Sequence, residues 1–127
     1  MSLSPIDDPT TPMPVRVARP LIDAFVRSPR CPSVHRYHAR SSLPLIALFL
    51  AMHEEHDSRG LPWHKLSPDR LMGMALDAHP EERAFVRDLF DLTAAFYDWL
   101  AEYGVLRRDE AFPIRRRLLE LALGLPS

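Results

Sequence analysis

Six potential metal ligands crowd into one stretch of the chain: Cys31, His35, His38, His53, His56 and His64. His35 and His38, and again His53 and His56, stand three residues apart, the spacing that places two imidazoles on one helical face. A structural zinc site needs four such ligands, held at tight paired spacings in both halves. Here there is a single thiol, and Pro32 interrupts the segment that would have to fix His35 and His38. The run His53-Glu54-Glu55-His56-Asp57 lacks the i, i+4 histidines of a zinc protease. It also lacks the Glu-x-x-His of a di-iron helix. We therefore expect no metal and no cofactor; a histidine-rich metal-binding protein using His35, His38, His53 and His56 is the third-ranked reading.

Covalent catalysis finds as little support. None of the nine serines sits in a glycine-flanked elbow, and Cys31 lies between Arg30 and Pro32 in a proline-rich segment. A catalytic thiol needs a histidine held beside it by packed structure. Lys65, the sole lysine, neighbours Trp63 and His64 with nothing around it to mark a Schiff base. Gly60, Gly73, Gly104 and Gly124 are isolated, so neither a phosphate loop nor a dinucleotide fingerprint can form. The chain reads as a non-enzyme.

Arginine supplies the remaining chemistry. Fifteen arginines stand against one lysine, and there is no asparagine or glutamine at all. That composition is expected of a GC-rich bacterial genome, and it removes the usual bidentate readers of adenine. Arg107, Arg108, Arg115, Arg116 and Arg117 could lie along phosphates, with arginines of the N-terminal arm adding contacts. Three consecutive arginines fan around a helix, however, and Asp109, Glu110 and Glu120 flank the cluster. Nucleic-acid binding through these five residues is the second-ranked reading.

The elements that must position these groups are helical. From Pro80 to Tyr103, Phe85, Leu89, Leu92, Phe96, Trp99 and Tyr103 recur at spacings of four and three. Val86, Phe90, Tyr97 and Leu100 make a second row beside them. Two adjacent rows form a broad apolar face that must be covered on two sides. Ser67-Pro68-Asp69 marks the start of a helix over 68–78, with Leu66 and Leu71 at the spacing of a hydrophobic staple. A helix over 43–57 follows Ser41 and Ser42, either of which could cap it, and its first ten residues are apolar all round. A last helix covers 110–123, with Leu119 and Leu123 widening its apolar face. Within the proline-rich arm, Pro20 at a first helical position allows two turns over 20–27, too short to stand alone.

This pattern predicts an all-α fold: a compact bundle of four main helices over 41–127. Residues 1–40 would be an extended or partly disordered Pro/Arg-rich arm carrying the 20–27 helix. The arm and the start of the next segment, residues 1–44, net +3, the rest −4, and the whole −1. One cysteine fits a reducing compartment. Residues 1–20 have no apolar core of a secretory signal, and the longest apolar run is too short to span a bilayer. We expect a cytoplasmic chain with no membrane partner. Its apolar positions exceed what so small a bundle hides comfortably. The first-ranked reading is therefore a non-catalytic protein-interaction module, an adaptor or accessory subunit of a bacterial complex. Its partner would be another protein or a second copy of itself, met through Leu21, Phe25, Trp63, Tyr97, Trp99 and Tyr103.

Overall fold

The computed structural model describes residues 11–53 and 60–125. Among these residues there are α-helices and 3₁₀ turns but no strand. The helices are α1 (Met13–Arg27), α2 (Arg36–His53), α3 (Pro68–Ala78), α4 (Arg83–Tyr103) and α5 (Arg108–Leu123). Single 3₁₀ turns lie at Ser33–His35 and Trp63–Lys65. The chain is an all-helical bundle, as its periodicity predicts. Among the described residues no helix is long and apolar enough to cross a membrane.

α1 is longer than the two turns expected over 20–27. The Pro12 carbonyl accepts the N–H groups of Val15 and Arg16, both at 3.1 Å, and so opens the helix earlier. Pro14 sits in the first turn, where no N–H is needed. Pro20 is consequently an interior residue and not the first one. A proline there removes one backbone bond. The helix runs through because Val15, Ala18, Ile22, Phe25 and Val26 make one buried stripe across it. Pro20 itself is exposed, so the interrupted bond lies on the outer side, where water replaces it.

α2 also starts earlier than expected, at Arg36. Ser41 and Ser42 are therefore interior and cap nothing; the Ser41 hydroxyl donates back to the His38 carbonyl at 3.0 Å. The expected burial on all sides does not hold. Leu43, Ile46, Ala47 and Leu50 are fully buried, whereas Leu45 is 43% and Met52 74% exposed. The expected continuation to residue 57 lies outside the described residues, and with it His56.

α3 has the predicted bounds. The Ser67 hydroxyl accepts the Arg70 N–H at 3.3 Å, and Leu66 and Leu71 are both buried. α4 begins at Arg83 instead of Pro80, because Glu82 adopts a non-helical conformation (φ −118°, ψ 51°) as the N-cap. A turn, Glu82 N–H to the His79 carbonyl at 3.1 Å, precedes the first helical bond. At its other end Gly104 adopts a left-handed conformation (φ 90°, ψ 10°). The N–H groups of Val105 and Leu106 then return to the Leu100 carbonyl at 2.9 and 3.2 Å. This reversal folds α5 back along α4. α5 buries Ala111, Ile114, Leu118 and Ala122, while Leu123 is left 77% exposed instead of widening the face.

The core is centred on Phe96. Its ring meets Phe25 of α1 and Trp63 of the 3₁₀ turn, each at 5.2 Å between centroids, and Trp99 at 5.9 Å. One aromatic residue of α4 thus ties the N-terminal helix and the loop before α3 into a single interior.

Candidate functional site

The structure gathers most of the expected contact residues, but inside the bundle. Phe25 and Tyr97 have no exposed surface, and Trp63 and Trp99 are 4% and 5% exposed. The buried Tyr97 hydroxyl donates to the Trp63 carbonyl at 2.6 Å, pinning the 63–65 turn to α4. Burial pushes the Tyr97 phenol well above its ordinary pKa. Leu21 is half-buried. Tyr103 stands apart from the other five: it is 64% exposed and stacks on Trp99 at 4.7 Å.

The arginines are dispersed into ion pairs. Arg115 holds Asp98 of α4 at 2.7 Å, and Arg117 grips Asp69 of α3 through several N–H groups, the shortest at 2.6 Å. The Arg117 guanidinium holds the Asp69 carboxyl below the usual carboxylate range. Arg107 faces Asp109 and Glu110 at 3.2 and 3.6 Å. Arg108 and Arg116 are exposed and make no ion pair among the described residues. Two of the five arginines therefore fasten α5 to α3 and α4.

The histidines divide between sites. His64 is exposed on its turn, and Cys31 is 2% exposed beneath the α1–α2 junction. Among the described residues no group of three or more His, Cys, Asp or Glu side chains could hold a metal ion. His35 and His38 do share a recess of about 240 Å³ with Ser42 of α2 and with Phe85, Asp88, Leu89 and Leu92 of α4.

Beyond that recess, across Phe85 and Leu89, opens a strongly apolar concavity. It has a volume of about 230 Å³. α2 contributes Leu45, Leu48, Phe49 and Met52; α3 contributes Leu71, Met74, Ala75 and Ala78; α4 contributes Phe85 and Leu89. α3 packs on α5 and α4 and not along α2, which leaves this side of α2 open. Leu45, Met52 and Met74 (40% exposed) form the open lip. His53 and His79 supply the polar points of the lining. The His53 ring packs on Phe49 at 4.8 Å, and its Nε2 is buried without a hydrogen-bond partner among the described residues. His79 Nδ1 faces Glu82 at 3.3 Å, and the Arg70 guanidinium reaches the His53 carbonyl at 3.5 Å.

Chemically, the groove can accept apolar side chains and one hydrogen-bonding group. It holds no nucleophile and no paired carboxylates. Its volume is below the roughly 300–1,000 Å³ typical of small-molecule pockets, and it is open along one side. Sequence reasoning found the apolar surplus of α2 but not its place. The available signal was that α2 offers apolar residues all round. Comparison with known protein families, with curated proteins and with solved structures found no match.

Proposed function

We propose that the chain is a non-catalytic protein-interaction module, an adaptor or accessory subunit working in the bacterial cytoplasm, and that its docking surface is the groove between α2, α3 and α4. The observation that carries this reading is the contiguous lip of Leu45, Met52 and Met74 over an apolar floor. Single exposed apolar residues are ordinary on protein surfaces, but a connected concave patch marks a contact site. Two methionines at the lip add adaptability, since the unbranched thioether repacks around different guests. The groove takes over the role first assigned to the aromatic residues, four of which are engaged in the core.

Capture from the native host with tagged wild-type protein and with the Met52→Glu/Met74→Glu variant, each with and without nuclease treatment, tests the reading. Both substitutions fall on exposed positions, so the fold is retained. A bound protein present with wild type and absent with the variant is the expected outcome. Equal capture by both proteins refutes the groove as the docking surface. Capture that disappears on nuclease treatment transfers the function to nucleic acid and directs attention to Arg108 and Arg116.

A further inference from the structure

We infer that the groove is a socket for the outer face of α1 from a second copy of this chain, an inference that rests on the docking reading above. α1 buries one stripe and leaves another uncovered. Met13 is 61% and Val17 44% exposed, and Leu21 and Ala24, both half-buried, continue their line. The spacing i, i+4, i+8, i+11 keeps these four on one side of the helix. Leu21 and Ala24 rest partly on the molecule's own core, whereas Met13 and Val17 stand clear of it, so the surface carries an apolar ridge and, elsewhere, an apolar trough.

The ridge, about 17 Å from Met13 to Ala24 at 1.5 Å per residue, is long enough to span the trough, whose α2 lining from Leu45 to Met52 extends about 11 Å. Charge supports the pairing. Arg16 and Arg27 are exposed beside the ridge. Asp23, the sole acid of α1, faces Arg40 of α2 at 3.4 Å. At the trough Glu82 faces the lining His79 at 3.3 Å and Asp88 lines the adjoining recess, with Arg70 at the His53 end. The positive N-terminal region and the negative remainder of the chain thus meet across copies, where unlike charges both steer and orient association.

Arg40, which reaches toward α1, lies about 140° around α2 from Leu45, given 3.6 residues per turn. α1 and the trough therefore flank α2 on different sides, so a molecule does not seat its own ridge and the joint forms between copies.

Sedimentation velocity on the full-length protein tests this with two variants. Met13→Glu/Val17→Glu spoils the ridge, and Met52→Glu/Met74→Glu spoils the trough; circular dichroism checks that each keeps its helices. Wild type is expected to associate as concentration rises, and to do so less at high salt. Each variant alone should stay monomeric. An equimolar mixture should double in mass and stop, because one intact ridge and one intact trough make a single joint. Wild type that is monomeric at every concentration overturns the inference; a protein still captured through the groove would then leave the docking reading standing. Growth unaffected by either variant, or a mixture that stays monomeric, also overturns it.

Discussion

Replacing Tyr97 by phenylalanine removes one hydroxyl and leaves the ring, so it isolates a single buried interaction. That hydroxyl donates to the Trp63 carbonyl at 2.6 Å. A buried hydrogen bond contributes about 1 kcal/mol net, and more when its partner is stranded. Trp63 is not stranded, because its carbonyl also accepts the Leu66 N–H at 3.4 Å. The cost at neutral pH should therefore be about 1 kcal/mol. The pH dependence sharpens the test. Burial raises the folded-state pKa of Tyr97 well above the ordinary 10.0. Its neutral form is thus favoured by folding, and that contribution is complete below the unfolded value. Above it the unfolded phenol ionises while the folded one does not, and wild type loses stability at about 1.4 kcal/mol per pH unit. The Tyr97→Phe variant has no such proton. The two proteins should therefore converge near about pH 11, and the variant should be the more stable beyond it. Urea unfolding followed by tryptophan fluorescence, at intervals from neutral pH to beyond that crossing, measures the difference directly. Other titrating groups are common to both proteins and cancel. A constant gap over this range would show that Tyr97 titrates as a solvated phenol and refute the buried bond.

Other substitutions probe the remaining supports. Phe96→Ala empties the ring at the centre of the aromatic cluster and should cost about 3–5 kcal/mol in urea unfolding. Tyr103→Ala, on an exposed side chain, should stay within about 0.5 kcal/mol. Gly104→Ala meets no atom within 4 Å, so its cost is the left-handed backbone alone, about 1 kcal/mol; a silent substitution would contradict the φ of 90° at that residue. The Asp69 carboxyl, lowered by Arg117, should titrate below 3.8 by NMR and return toward that value in Arg117→Met. Its contribution to stability is present above the unfolded value and fades as pH falls through the folded one, so wild type and Arg117→Met should converge in acid.

Local signals were the part of this fold most legible in the sequence. Ser67-Pro68, the leucine staple and Gly104 each act over one turn, and each does in the structure what its chemistry dictates. Pro20 misled because its cost is local, whereas the burial that outweighs it comes from residues far away in the chain. The buried stripe from Val15 to Val26 is coherent only once the rest of the core exists. The same limit applied to the contact surface. Residue type marked Trp63, Tyr97 and Trp99 as valuable, but period alone gives a face and not the number of neighbours available to cover it. Phe96 and Trp63 close over each other from distant parts of the chain, a meeting that no local sequence window reports. The groove was equally hidden: apolar excess on α2 was visible, but that α3 would pack on α4 and α5 instead of along α2 was not.

Cys31 gives the molecule a built-in kinetic clock. It is the sole thiol of the chain and lies 2% exposed where α1 hands over to α2. Reagent reaches it only when that corner opens, so each molecule can react once, and the mass shift counts openings without any engineered label. The rate compares two events. If α1 lifts away as a unit while Phe96 and its neighbours stay packed, labelling outruns global unfolding and is insensitive to low denaturant. If the helix is released only with the whole bundle, labelling tracks the unfolding rate. Because Phe25 joins α1 to the central ring cluster at 5.2 Å, the second regime should hold, and loosening that ring should switch the chain to the first.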